Sequence, residues 1–561
     1  MFNHAKYQAF PVINKADRKW PGQVITQAPE WCAVDLRDGN QALIEPMSVT
    51  QKQAMWQLML DIGFKHIEVG FPSASQTDFD FVRWLIEEDQ IPADVTIQVL
   101  VQARDALIER TFEALDGCKQ AIVHVYNSVS PVQRKKVFKL DKDGIKAIAI
   151  KGAEKVASEA EKYPNTDWTF QYSPESFSST EVDFSVEVCN AVIDVWQPTP
   201  ERKIILNLPA TIECAGPNVF ADQVETFCES IQQRDSVIIS IHTHNDRGCA
   251  VAAAEMAILA GADRIEGTLM GNGERTGNMD IITMAMNLYS QGIDPQLDLS
   301  DAARITRTVE ECTQIPTHAR HPWVGDLVYT AFSGSHQDAI KKCLDQQQEE
   351  DVWDVAYLPV DPQDIGRDYQ SVIRVNSQSG KGGVAYILEQ NFGISLPRWM
   401  QIEVSRVVQK YSEEQQGEVD AQTIYDIFKQ HFIDCNQHYQ LGSYQLTRDA
   451  QGSIGGQESM KASISRQGQV IELRSAAAGP IAAFCDALSR QLSVAIEVKQ
   501  YSQTAMTRDD SAHNGADALA CVQVDIGGEK HVKAAIAEDS LGATLQAILG
   551  TINLYTAAQA A

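Results

Sequence analysis

Two histidines stand two residues apart in I241-H-T-H-N-D-R-G248, at the end of a strand-like run from Ser236 to Ile241. Residues so spaced on a strand point to one face, roughly 6.6 Å apart along the backbone, so both imidazoles can address one metal ion. Two buried structural histidines fit the same spacing, and the choice depends on what the rest of the chain brings to that place. D35-L-R-D-G-N-Q41 follows another strand-like run and offers Asp38 as an anionic third ligand. Two histidines and one carboxylate hold a divalent cation and leave positions open to a substrate. Such a set serves oxygenation, hydrolysis and metal-assisted carbon–carbon chemistry alike, so it does not by itself choose a reaction.

Positioning these groups requires a scaffold, and the chain repeats one grammar of short apolar runs followed by longer helical patterns. The runs are Trp31 to Leu36, His66 to Gly70, Thr96 to Val101, Ala121 to Tyr126, Trp168 to Tyr172, Lys203 to Leu208, Ser236 to Ile241 and Arg264 to Leu269. Amphipathic stretches such as Val49 to Asp61 and Arg247 to Ala260 separate them. Eight strands alternating with helices predict a (β/α)8 barrel of the α/β class rather than an open doubly wound sheet. Active sites on such barrels gather where the strands end, and the polar residues collect there. Arg37, Asp38 and Gln41 follow the first strand, His124 lies on the fourth, and Ser173 and Glu175 follow the fifth. Thr211 follows the sixth, His242 and His244 end the seventh, and G271-N-G-E-R-T-G-N278 follows the eighth. The last segment resembles a dinucleotide fingerprint only in part, because Thr276 occupies the third glycine position; it reads as a tight loop bringing Asn272, Glu274 and Asn278 to the mouth. Amidohydrolase barrels carry their histidine pair on the first strand rather than the seventh, and two-histidine oxygenases use a barrel of packed sheets.

Composition narrows the partners. The 561 residues exceed a single core, and 75 acidic against 47 basic side chains give a formal charge of -28. That charge repels nucleic acid and anionic membranes, and no basic patch stands out in the sequence. Eleven cysteines are scattered from Cys32 to Cys521 without a C-x-x-C pair, which predicts a reducing compartment. Residues 1 to 30 show no secretory apolar core, and no run approaches the ~20 residues of a membrane span, so a cytoplasmic protein is expected.

D35-L-R-D-G-N-Q41, H242-T-H-N-D-R-G248 and G271-N-G-E-R-T-G-N278 together resemble the 2-isopropylmalate synthase family, among the acyl-CoA-dependent Claisen-condensing barrels. The similarity continues through S333-G-S-H-Q-D338, Y357-L-P-V-D-P362 and R374-V-N-S-Q-S-G-K-G-G383. It implies condensation of acetyl-CoA with the 2-oxo acid 3-methyl-2-oxobutanoate, then thioester hydrolysis to 2-isopropylmalate and CoA. Asp38, His242, His244 and Asn278 would bind a divalent metal (Mg, Mn or Zn), with a monovalent cation such as K+ as activator. Arg37, Glu175, His336 and Tyr369 would be catalytic, the last two reaching the partner's site in a homodimer. His124, Ser173, Thr211 and Gln41 would bind substrate. Homocitrate and citramalate synthases share parts of these motifs and differ in the 2-oxo acid. A non-catalytic amino-acid sensor with a vestigial barrel is opposed by the intact set of Arg37, Asp38, His242, His244 and Asn278.

The barrel with its N-terminal extension is expected over 1–325 and helical linker subdomains over 326–434. An α+β regulatory domain is expected over 435–561, in which three strand-like runs and a helix, Pro480 to Arg490, are followed by three more runs and a second helix, Leu541 to Leu549. The family resemblance makes this duplicated βββα region a leucine-binding one, with Tyr501, Ala543 and the Asp509 to Asp517 loop as contacts. Glu538 and Asp539 precede its second helix where the family favours small and hydroxyl residues, and acidic groups there would repel a leucine carboxylate.

Overall fold

The computed structural model describes residues 3–11, 13–369, 381–415, 417–434, 438–448, 458–506 and 517–560. Positions 374–380 of one family motif and 509–516 of the candidate effector loop lie outside the described residues. The described chain forms two compact units, 1–328 with 364–366 and 329–363 with 367–561.

The first unit is built on a closed barrel of eight parallel strands in sequence order. They are β1 (Glu30–Ala33), β2 (His66–Gly70), β3 (Thr96–Gln102), β4 (Gln120–Ser128), β5 (Asp167–Glu175), β6 (Ile204–Ala210), β7 (Val237–Thr243) and β8 (Arg264–Gly267). β1 pairs with β8, Cys32 facing Glu266, to close the ring. Burial explains the apolar runs: β3 and β6 bury almost every residue, as strands covered by helices outside and packed side chains inside must. The helix Val49–Ile62 starts in a capping box of Ser48 and Gln51 and stops at Gly63, whose φ of 106° suits a residue without Cβ.

Two expected strand ends are corrected. The first strand stops at Ala33 rather than Leu36, because Asp35–Gly39 winds into a wide helical turn in which the Gly39 amide donates to the Val34 carbonyl. That turn swings Arg37 and Asp38 inward instead of continuing along the sheet. The eighth strand stops at Gly267 rather than Leu269, and the chain turns at Leu269–Gly271.

The second unit opens with the helices Gly334–Leu344, Lys381–Phe392, Arg398–Gln415 and Ala421–Phe428. Two antiparallel sheets follow, each leading into a helix. β9 (Tyr439–Arg448), β10 (Glu458–Arg466) and β11 (Gln469–Ala477) precede helix Pro480–Leu492; β12 (Ile496–Met506), β13 (Asp517–Ile526) and β14 (Glu529–Ala537) precede helix Ser540–Ala560. This is the duplicated βββα module expected from the sequence. One core joins its halves, with Ile464, Phe484 and Leu488 of the first packed with Val522, Val524 and Ile548 of the second. No helix among the described residues is long and apolar enough to cross a membrane.

Candidate active site

At the strand ends of the barrel, an open cleft of about 700 Å³ is lined by Arg37, Asp38, Gln41, His124, Ser173, Glu175, Thr211, His242 and His244, among others. Its floor carries the histidine pair. His242 Nε2 and His244 Nε2 stand 3.3 Å apart, and each lies 3.8 Å from Asp38 Oδ2. A point about 2.1 Å from all three atoms lies within their triangle, and that is the length of a metal–nitrogen bond. Among the described residues this is the one cluster of three acidic, histidine or cysteine side chains able to share an ion. Asn278 is held opposite His244 by a β-bridge, and its Nδ2 donates to Asp38 Oδ2 at 2.6 Å. Its buried Oδ1 has no hydrogen-bond partner. A bare acceptor beside two facing imidazole nitrogens and a carboxylate is a donor set that suits a cation.

Electrostatics agree with that reading. Burial pushes Asp38 up, but Arg37, both histidines and the Asn278 amide overcome it and hold the carboxyl well below the usual carboxylate range. Burial and the neighbouring His242 bring His244 down to about 4, so its imidazole is neutral and has a lone pair to give. His242 donates from Nδ1 to Glu266 Oε2 at 3.1 Å, which leaves Nε2 facing Asp38. A carboxylate behind a ligating imidazole fixes its tautomer and raises its basicity.

Beneath the cleft, buried polar residues of the strands form a closed network. Glu68, from β2, accepts from Arg37 Nε, from Gln98 at 2.5 Å and from His124 Nδ1 at 2.8 Å. His124 Nε2 then accepts from the Ser173 hydroxyl at 2.7 Å, and Ser173 accepts from Asn207 at 3.0 Å. Glu266, from β8, takes bonds from Arg264 at 2.8 Å and Gln171 at 2.7 Å as well as from His242. Arg264 is wholly buried and also reaches Gln98 at 2.7 Å and Ser240 at 2.8 Å. Two carboxylates and two guanidiniums removed from water are tolerable only because each is multiply bonded.

The rim places the remaining candidates. Glu175 accepts from Ser128, and burial pushes its carboxyl above the ordinary range. Thr211 Oγ1 accepts from the Ser176 amide at 2.9 Å, and its carbonyl accepts from Arg275 at 2.5 Å. Gln41 lines the cleft from an exposed position. His336 and Tyr369 belong to the second unit. There His336, in the first turn of helix Gly334–Leu344, stacks on Tyr357 with ring centroids 4.0 Å apart, and Tyr369 donates to Asp361 at 2.9 Å.

Comparison with known proteins gives this arrangement a lineage. Residues 28–309 match the HMGL-like family model, 326–389 the alpha-isopropylmalate synthase post-catalytic domain-like model, and 418–556 the LeuA allosteric (dimerisation) domain model. The 2-isopropylmalate synthase of Alcanivorax borkumensis is 54% identical over 556 residues, covering 98% of this chain and 97% of the relative. That of Pseudomonas fluorescens is 52% identical over 553 residues, covering 98% and 97%. The chain belongs to the 2-isopropylmalate synthase family.

Within that family's motifs, the structure brings Arg37, Asp38, Gln41, His124, Ser173, Glu175, Thr211, His242, His244 and Asn278 to one barrel mouth. Sequence reading passed over Glu68, Gln98, Arg264 and Glu266, which hold them. A signal existed. In H66-I-E68 and R264-I-E266 two polar side chains alternate with an apolar one, and in I97-Q98-V99 a single polar side chain stands between apolar neighbours, each on a strand otherwise buried.

Proposed function

We propose that this chain condenses acetyl-CoA with 3-methyl-2-oxobutanoate and hydrolyses the thioester, yielding 2-isopropylmalate and CoA in leucine biosynthesis. The convergence of Asp38, His242 and His244 on one point at the barrel mouth carries the reading, and Asn278, whose amide donates to Asp38 and whose Oδ1 is unpartnered, supports it. These four would hold a divalent cation, which when bound supplies a Lewis acid for a 2-oxo acid.

The chain's own groups account for the rest. Arg37, fixed between Glu68 and Asp38, is a preorganised cation for the charge that develops on the attacked ketone oxygen. Thr211, tethered by Ser176 and Arg275, stands where a substrate carboxylate can be held. His124 and Ser173, locked in one chain from Glu68 to Asn207, present fixed polar atoms to the thioester. Glu175 lines both this cleft and a second one, lined also by Tyr126, Arg104 and Phe138. A carboxyl raised by burial at that junction suits it to take or hold a proton between the two substrates. The proton-handling roles of His336 and Tyr369, the homodimer, leucine as inhibitor and activation by K+ belong to the same proposal.

The test is thiol release from acetyl-CoA against a panel of 2-oxo acids, with divalent metal present and then chelated. Turnover is expected to be best with 3-methyl-2-oxobutanoate and to vanish on chelation. Preference for pyruvate or 2-oxoglutarate would overturn the substrate assignment, since pockets separate substrates differing by one methylene by only ~1–3 kcal/mol.

A further inference from the structure

Three chain segments at the barrel mouth carry groups assigned above to the cation and the 2-oxo acid. Thr211 follows β6, His242 and His244 close β7, and Asn278 follows β8. The ladder between β6 and β7 ends at Ala210 and Thr243. Beyond it, backbone bonds join the last two segments: His244 bridges Asn278, and the Asn245 amide donates to the Gly277 carbonyl at 3.0 Å. The segment after β6 is tied to both by side chains.

The first of these is Arg275, at the tip of G271-N-G-E-R-T-G-N278. The loop folds back so tightly that a Cβ at Gly277 would stand 2.0 Å from the Gly271 carbonyl oxygen. Arg275 itself has a φ of 56°, the left-handed conformation that residues with a Cβ adopt at a cost. From there its Nε donates to Asp246 Oδ1 at 2.7 Å, and one terminal nitrogen donates to Asp246 Oδ2 at 3.2 Å and to the Thr211 carbonyl at 2.5 Å. One planar guanidinium therefore spans the segments after β6, β7 and β8.

Asp246 is placed in turn by Glu213. The Glu213 amide donates to Asp246 Oδ2 at 3.1 Å, and Glu213 Oε2 accepts from the amides of Arg247 and, at 3.4 Å, Cys249. Cys249 begins helix Ala250–Leu259 and gives it no side-chain cap, so a carboxylate from the neighbouring loop stands at the positive end of that helix. Glu213 is buried, whereas the Arg275 side chain is 37% exposed. An ion pair so exposed adds little to stability. Its effect belongs in the relative placement of the three segments.

We infer that Arg275, Asp246 and Glu213 form a clasp that positions Thr211 against His244 and Asn278, and so sets how the 2-oxo acid and the cation are held together. The inference rests on the proposed function and adds three positioning residues to it. His124 and Ser173, on β4 and β5, keep their own bonds to Glu68 and Asn207 without the clasp. Its loss should therefore fall on one substrate and spare the other.

Steady-state kinetics and metal competition on the full chain test this. Arg275→Met should raise KM for 3-methyl-2-oxobutanoate roughly tenfold, since displacing a binding group by about 1 Å can cost up to ~10²-fold. KM for acetyl-CoA and the melting temperature should stay close to wild type. Divalent metal affinity, read by competition with a chelator in the absence of substrates, should fall several-fold. Asp246→Ala should show the same pattern, and the double variant should lose far less than the product of the two single losses, because both break one contact. Arg275→Lys, a point charge without the planar fork, should recover part of the loss. Unchanged 2-oxo acid KM and metal affinity in Arg275→Met would overturn the clasp and leave the function standing, as would equal rises in both KM values or fully multiplicative losses in the double variant. Wild-type protein that releases no thiol with any 2-oxo acid would overturn the function, and the metal affinities of wild type and Arg275→Met would then still decide for or against the clasp.

Discussion

The barrel mouth and the duplicated C-terminal module handle buried charge in opposite ways. At the mouth, Arg37, Asp38, Glu68, His124, His242, His244, Arg264 and Glu266 are all buried and hydrogen-bonded to one another through shared partners. In the module the buried set is mostly apolar, and Lys533 is its one buried charged side chain among the described residues, donating to the His431 carbonyl at 2.5 Å. Desolvating a charge costs several kcal/mol unless its partners are in place. A fold that does so with five guanidinium and carboxylate groups around one cleft fixes those groups for chemistry. A fold that does so once uses the contact for structure.

The two regions should therefore differ most when a charge is removed. His244→Ala or Asp38→Ala should abolish tight divalent metal binding and lower kcat by a factor of 10³ or more, an oxyanion-hole-sized loss or larger. Metal content after dialysis and thiol release check this, and a rate within tenfold of wild type would remove these residues from the reaction. Lys533→Met should leave metal content unaltered and show itself in thermal stability.

A smaller effect is expected one bond further out. Glu266→Gln keeps the shape of the side chain but withdraws the carboxylate from His242 Nδ1. Partners of that kind typically contribute 10–100-fold in metal affinity. Competition with a chelator of known affinity measures it. A variant that retains wild-type affinity while losing stability would make Glu266 a barrel brace for Arg264 rather than a support for the metal centre.

These two tiers also mark what was legible in the chain. The residues facing the cleft come in runs at strand ends, R37-D38, H242-T-H244 and G271 to N278, and a run of polar residues after an apolar one is visible without a structure. Glu68 and Glu266 sit inside short buried strands rather than at their polar ends, and most of their partners come from other strands of the ring. Cys32 faces Glu266, and Leu100 faces His124, only once the barrel closes in its observed register. Register across a closed barrel depends on all eight strands, so no local pattern reports it. The turn at Asp35–Gly39 was hidden for a related reason. Val34 and Leu36 continue the apolar alternation of β1, and only the Leu269 amide, 3.0 Å from Asp35 Oδ1, shows where the chain leaves the sheet.

In the module, Asp539, one of the two acidic residues before the second helix, has structural partners of its own. Its Oδ1 accepts from the Gly542 amide at 2.7 Å and from the Tyr444 hydroxyl at 2.6 Å, so it caps helix Ser540–Ala560 and ties it to β9. The Tyr444 hydrogen bond and the helix amides hold this carboxyl below its ordinary range, and burial with Asp539 pushes Tyr444 up to about 12. Of the expected leucine contacts, Ala543 is fully buried against Ala518 and Ala520, while Tyr501 is 56% exposed on β12. Asp539→Ala should destabilise the module by about 1 kcal/mol, the typical value of a helix cap, read as a downward shift in denaturant midpoint. Leucine binding, measured by calorimetry, should survive in Asp539→Asn, whose side chain still caps. Tighter leucine binding by Asp539→Asn would show that the charge at this position repels a leucine carboxylate.

The finest division falls within the mouth itself, between Asp38 and Asp35, which share one helical turn. Asp38 has Arg37 beside it; Asp35 accepts only the Leu269 amide on Oδ1, and its buried Oδ2 is unpartnered. Burial raises the Asp35 carboxyl to about 8, so it stays protonated near neutrality. An unfolded aspartate titrates near ~3.9. Between those values the folded chain holds a proton that the unfolded chain has released, so this residue makes stability fall as pH rises from about 4 toward 8, by at most ~1.4 kcal/mol per pH unit. Asp35→Asn keeps the acceptor for Leu269 and removes the proton. It should change stability little at pH 5 and flatten the decline toward pH 8, with metal content and turnover at neutral pH within about twofold of wild type. Parallel melting curves for the two proteins across that range decide the matter. Identical slopes would mean that Asp35 is ionised in the folded chain, and that burial alone does not separate the carboxyl that carries charge at this mouth from the one that only completes the turn.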